Sequence, residues 1–200
     1  YVGGQFGRND TGEQPFYRIL MTASERQAFD AVERASDAEK NATLITIDQD
    51  AVHVRHNCGI RYRGAGSRGR AQAGYRLNIP TDHLWNGKSA MNLNSQYTHA
   101  QLIGSKVALK AGLPAANARP VQLRINASNP AQSGLPQFGS YVHVEPINNE
   151  FADVHFPADS DGNVYRASSG SHAARLTYLG TNPSAYLSAG YSKTSNTSEN

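Results

Sequence analysis

The chain has 200 residues, of which 38% are hydrophobic and 18% charged, a balance that fits a folded protein rather than a disordered one. The single cysteine, Cys58, excludes an internal disulfide and any multi-cysteine metal centre. No apolar run approaches the roughly 20 residues of a membrane-spanning helix, and the opening YVGGQFGRND lacks the charged-then-apolar pattern of a signal peptide. Net charge is only +3 but unevenly spread: Arg55, Arg61, Arg63, Arg68, Arg70 and Arg76 follow one another with no Asp or Glu between them. Such a run suits an anionic partner as well as it suits a solvated basic face.

In chain order, residues 1–16 read as a lead-in segment. A helix is expected over TASERQAFDAVERASDAEKN, where Thr22 and Glu25 have capping-box spacing and Phe29 and Val32 begin a thin apolar stripe. Ala42–Asp48 alternates as a strand, Asp48-Gln49-Asp50 turns, and AVHVRHNCGIRYRG continues as one long or bulged strand holding a buried, inert Cys58. Gly74–Pro80 is the next strand, ended by its proline. Thr81–Lys88 is a loop in which Trp85, the sole tryptophan, serves as a packing anchor, and Ser89–Ser95 is a short strand.

A second helix is expected across His99–Gly112, with Leu102, Val107 and Leu109 facing inward, Gly112 at its C-terminal cap and Pro114 just beyond. Pro120–Asn126 and Phe138–Ile147 pair antiparallel around the polar excursion ASNPAQSGLPQ. A short helix over Glu150–His155 and a turn and strand in DSDGNVYRA follow, before the text thins into Ser, Gly, Asn and Thr. The sum is an α+β layout, mostly antiparallel sheet with a few helices.

Gly64, Gly66 and Gly69 in RYRGAGSRGR fit G-x-G-x-x-G. A dinucleotide-binding loop of that spacing opens a helix, but here a strand pattern follows, so the Rossmann reading fails. No G-K-[ST] follows either, which removes the P-loop. What remains is a glycine loop between antiparallel strands, as in the lid that protein kinases fold over ATP phosphates, or an ordinary flexible hairpin tip. The histidines show no metal-ligand spacing.

Six segments then occur in order: GIRYRGAGSR, YRLNI, MNLNSQYT, AGLP, FGSYVHVE and DGNVYR. This set resembles the CotH kinase family, whose members show R-x-R-G-x-x-S, Y-R-I/L, G-L-P, G-x-Y-x-x-x-E and D-G-N-L-Y-K, and the resemblance runs from about Tyr17 to the C-terminus. It implies an atypical kinase-like fold, cut short at the C-terminus and occupying residues 17–200. The implied activity is transfer of phosphate from ATP, with Mg²⁺, to protein serines, and the implied setting is the bacterial cell envelope, the spore coat or secretion.

Carried over residue by residue, Gly64, Ala65, Gly66, Ser67 and Arg68 form the phosphate-covering loop. Arg61, Arg63 and Arg76 flank it as cations for phosphate, Arg61 and Arg63 sharing one strand face, so that both point at the nucleotide or both stand solvent-exposed beside it. Glu145 matches the strand-end glutamate and orients a cation that holds phosphate, or caps local amides. Asp161, Gly162, Asn163 and Tyr165 match the family turn, whose composition is ordinary turn chemistry.

Two departures stand against the match. Gln72 and Ala73 occupy the positions of a family lysine pair, and arginine is a poor positional substitute for lysine. The family's metal-binding and catalytic aspartates are expected beyond residue 200, so these residues by themselves are not expected to catalyse transfer, and no metal ligand is assigned within them. A non-catalytic surface or adhesion module on the same scaffold is the alternative, with a nucleotide and a protein substrate or surface protein as the partners under comparison. Nucleic acid binding is disfavoured, because Tyr62 and Tyr75 could stack bases but no RNA-binding signature accompanies them.

Overall fold

Inward-facing apolar side chains at every second position build seven strands, which hydrogen bonding joins into a closed barrel in this computed structural model. The structure describes residues 14–48, 51–64, 67–130, 140–168, 174–175 and 177–198. Two compact units divide the chain, Tyr1–Glu145 and Pro146–Asn200.

The barrel strands of the first unit are β1 (Phe16–Leu20), β2 (Lys40–Asp48), β3 (Ala51–Arg63), β4 (Gly74–Asn78), β5 (Ala90–Asn94), β6 (Ala118–Ile125) and β7 (Ser140–Val144). Their spatial order is β1-β2-β3-β4-β5-β7-β6. Every neighbouring pair is antiparallel except β1 and β6, which run parallel and close the seam from Phe16↔Gln122 to Ile19↔Ile125. The expected α+β character and mostly antiparallel pairing are present; the closure itself was not signalled by any strand's own pattern.

β3 is one long, bulged strand. Its register against β2 shifts between Ala42 and Leu44, so His56 and Asn57 stand opposite Thr43, and Asn57 takes a left-handed φ of 55°. Beyond the bulge Cys58, Ile60 and Tyr62 point inward and are buried. Burial raises the Cys58 thiol pKa above its ordinary value, which keeps it protonated and inert. Leu44, Ile60, Leu77, Leu93, Leu123 and Tyr141 fill the interior with no exposed surface. Each such burial contributes about 1.5–3 kcal/mol.

Helix α1 (Ala23–Asp30) starts as its sequence requires, with the Thr22 hydroxyl accepting from the Glu25 amide and the Glu25 carboxylate accepting from the Thr22 amide at 2.8 Å. It ends at Asp30, earlier than the sequence suggests. The apolar stripe stops at Val32, and residues 33–39 carry too little apolar surface to repay further helix. They form an irregular connector into β2. Phe29 sinks into the mouth of the barrel, stacked on Tyr62 at 4.6 Å and 6.2 Å from Tyr75.

Helix α2 (Thr98–Lys110) lies against β6 and β7. Leu102 and Leu109 are half-buried as expected, but Val107 is 62% exposed. It sits five positions on from Leu102, roughly 140° round the helix, whereas the covered stripe runs through Gln101, Leu102, Ser105, Ala108 and Leu109. Gly112, at φ 76°, ends the helix, and the Leu113 amide reaches back to the Ala108 carbonyl.

In the second unit α3 (Asn149–His155) is capped by Asn148, and β8 (Tyr165–Ala167) pairs antiparallel with β9 (Tyr191–Lys193), which follows α4 (Pro183–Ser188). The last two elements were not read from the Ser/Gly-rich text. Asn182 caps α4 and Pro183 occupies its first turn. Gln49 and Asp50 of the expected turn, and residues 131–137 of the 127–137 excursion, lie outside the described residues.

Candidate functional site

The β3–β4 register fixes the approach to the glycine loop. Ile60 and Tyr62 point into the barrel, so Arg61 and Arg63 share the outer face, and Arg76 joins them there as the cross-strand partner of Arg61. Their side chains then diverge. Arg63 donates to Asn94 of β5, and the Arg76 Nε donates to Asn78 at 2.9 Å.

Arg61 turns to the connector before β2, with its Nη1 2.6 Å from Asp37 Oδ1 and its Nε 3.5 Å from Glu39. Arg68 reaches the same Asp37 oxygen from within the loop. It also donates to the Ala35 carbonyl at 2.8 Å and the Ser36 carbonyl at 3.0 Å, while its Nε donates to Gly64. The two guanidinium groups hold the Asp37 carboxyl pKa below its usual range, Arg68 through its hydrogen bond and Arg61 through its charge.

Gly64 adopts φ 111°, and a Cβ there would meet the Ser67 Oγ at 2.0 Å, so only glycine permits this tight entry to the loop. Ser67 and Arg70 close a turn through the Arg70 amide at 3.2 Å. Ala65 and Gly66 lie outside the described residues. Next to the loop, Arg70 lines a cavity of about 510 Å³ with Gln96, Tyr97, Thr98, His99 and Ala100, at the start of α2.

Gln72 and Ala73 lead from the loop into β4 and are buried. The Ser95 hydroxyl donates to the Gln72 carbonyl at 2.7 Å and the Tyr141 hydroxyl to the Ala73 carbonyl at 3.0 Å. Both positions therefore belong to the barrel wall. Tyr62 and Tyr75 are also buried, packed on Phe29, and present no open ring face to a base.

Glu145 stands elsewhere. Arg63↔Gly74 and Tyr75↔Leu93 put the loop level with the Asn94 end of β5, whereas Asn92↔Val144 puts Glu145 beyond Asn92, towards the opposite end. There its Oε1 lies 3.0 Å from the Lys88 ammonium, and its Oε2 accepts from the Asn117 backbone and side-chain amides at 3.1 and 3.0 Å. Glu145 thus contacts one cation, Lys88, and the local Asn117 amides, and the register does not bring it to the glycine loop.

That opposite end of the interior is polar and aromatic. Arg119 bridges Asp48, at 2.5 Å, and the Tyr17 hydroxyl, which lies 3.1 Å from His143 Nδ1. Trp85, the expected anchor, is buried against Tyr17 and His143, and its indole N–H donates to Thr46 at 3.0 Å. Burial pushes the Tyr17 pKa up to about 12, and burial together with the Arg119 charge pushes His143 down to about 3.

Sequence reasoning missed Asp37, Lys88 and Asn117, which decide what the arginines and Glu145 touch. All three are remote in sequence from their partners and carry no motif. The Asp161-Gly162-Asn163 turn is structural: Asn196 donates to the Asp161 carbonyl at 2.6 Å, and Ser195 to that of Gly162 at 3.1 Å.

Residues 60–200 match the family described as CotH kinase protein. The chain belongs to the CotH kinase family. No relative among the curated proteins matches it. The matched stretch starts at the inward-pointing Ile60 of β3 and includes the glycine loop, Glu145 and the whole second unit.

Proposed function

We propose that this CotH-family chain carries the phosphate-contacting part of an ATP-dependent, kinase-like domain that modifies protein serines. One observation carries the reading: Arg61 and Arg68 converge on a single carboxylate oxygen at the entrance of a glycine-constrained loop. An array that holds one oxyanion between two guanidinium groups has the donors to hold a phosphate oxygen. Arg70, two residues beyond Arg68, lines a separate cavity with the start of α2.

For the metal, among the described residues no three of His, Cys, Asp and Glu come together. Magnesium would neutralise phosphate charge when bound, and on this reading its ligands come from outside residues 1–200. This chain's own part is to grip phosphate oxygens through Arg61 and Arg68, and to keep the loop backbone close through Gly64. The setting we infer is the bacterial cell envelope, spore coat or exterior.

Calorimetric titration with ATP and Mg²⁺ tests the reading. Wild-type chain binds, and Arg68→Gln weakens binding about tenfold, the loss of one charge-assisted contact. Absence of binding at millimolar ATP refutes it.

The second reading, a non-catalytic surface or adhesion module, is favoured by the burial of Gln72 and Ala73 in the barrel wall, where no phosphate-gripping side chain projects. It predicts that arginine substitutions leave cellular function intact.

A further inference from the structure

The connector between α1 and β2 makes three polar contacts to the glycine loop and a fourth to the end of β3. Arg68 donates to Ala35, Ser36 and Asp37, and Arg61 donates to Asp37. Two carbonyls would suffice to hold Arg68 in place. The Asp37 carboxylate adds something different: a negative charge between two cations, on a side chain that is 68% exposed. Its second oxygen and its solvent side remain open to exchange, whereas the Arg68 side chain is only 16% exposed.

Resting on the nucleotide reading above, we propose that Asp37 is a tethered stand-in for a phosphate oxyanion, occupying the subsite of Arg61 and Arg68 until an external phosphate displaces it. The chemistry matches on both sides. A carboxylate offers two acceptor oxygens and one charge, and a terminal phosphate offers three oxygens and up to two charges, so phosphate outcompetes a carboxylate on the same forked donors. The tether gives Asp37 a high effective concentration, so it fills the subsite whenever phosphate is scarce. The apparent affinity for an external anion is then reduced by the fraction of time the subsite is open. An occupancy of about nine-tenths lowers it about tenfold.

Displacement frees more than the carboxylate. When Asp37 leaves, the connector keeps only the carbonyl contacts to Arg68, and Glu39 remains 3.5 Å from the Arg61 Nε. Glu39 is also held by Asn78 of β4, so the connector stays anchored at its β2 end while its Asp37 segment swings.

Asp37→Asn and Asp37→Ser chains, with wild type, are titrated with inorganic pyrophosphate and with ATP at fixed ionic strength. Thermal melting confirms that each is folded, and the exposure of Asp37 makes a folded product the expected one. Both variants bind pyrophosphate about tenfold more tightly than wild type, and Arg68→Gln in the Asp37→Asn background abolishes the gain. A folded Asp37→Asn chain that binds pyrophosphate no more tightly than wild type overturns the inference and leaves the nucleotide reading standing. A gain for pyrophosphate without ATP binding upholds the subsite but refutes the nucleotide reading. Failure of every chain to bind either ligand overturns both.

Discussion

His143 gives the chain a built-in acid sensitivity. Its imidazole is 9% exposed, packed by Tyr17 and Trp85, with Arg119 close enough to repel a second positive charge. Arg119 can only donate, so the Tyr17 oxygen accepts from it, and the Tyr17 hydroxyl and His143 Nδ1 are hydrogen-bonded to each other at 3.1 Å. Burial and the Arg119 charge favour the neutral ring, and hold the pKa at about 3 against an unfolded value near 6.5.

The sign is fixed by which state binds the proton. Between pH 6.5 and 3 the unfolded chain is protonated at this residue and the folded chain is not, so stability is full above 6.5 and falls as the pH is lowered through that window. From pH 6.5 to 5 the loss is about 1.5 pH units at ~1.36 kcal/mol each, or about 2 kcal/mol. Urea unfolding of wild type and His143→Gln at pH 7 and pH 5 isolates this residue from the carboxylates, which titrate in both. Wild type loses about 2 kcal/mol more than the variant, and its imidazole NMR signals stay constant from pH 8 to 5. Parallel losses, within ~0.5 kcal/mol, would refute the argument.

Other outcomes follow from burial and pairing. Glu145→Ala removes the carboxylate that meets the Lys88 ammonium and accepts from two Asn117 donors and costs about 3 kcal/mol in urea unfolding, whereas Glu145→Gln, which keeps an acceptor for Asn117, costs less. Leu93→Ala empties a fully buried site and costs about 2–5 kcal/mol, while Val107→Ala, on the uncovered face of α2, changes stability by no more than ~0.5 kcal/mol. Equal effects of the last two would mean that the inward face of α2 has been misassigned.

Local chemistry was legible where it acts locally. The Thr22–Glu25 capping box, the Gly112 cap and the alternation in β2 and β4 each involve residues a few positions apart, and all stand where the sequence puts them. Val107 was misread because hydrophobicity alone does not choose between two possible helix faces; packing against β6 and β7 does. The glycine loop was recognised by spacing and by an ordered set of motifs, but its state was not. Asp37 reaches Arg61 and Arg68 only because Phe29 draws α1 into the barrel mouth, and that packing decision lies in no short segment. The same holds for Glu145, where Lys88 and Asn117 arrive from two other connections.

The parallel seam between β1 and β6 has a consequence for how the chain is made. Residues 16–19 can pair with 122–125 only after most of the first unit has been synthesised. β6 leaves the ribosome before β7 yet ends up outside it, since β7 lies between β5 and β6. The β6–β7 pair fills the place between β5 and β1. Until then β1 and β5 are both open edges, able to pair with another copy of the same half-made sheet. Closure of so long a loop is slower than pairing of neighbouring segments. A chain stopped before β6 keeps both edges, so crowding during synthesis is its hazard.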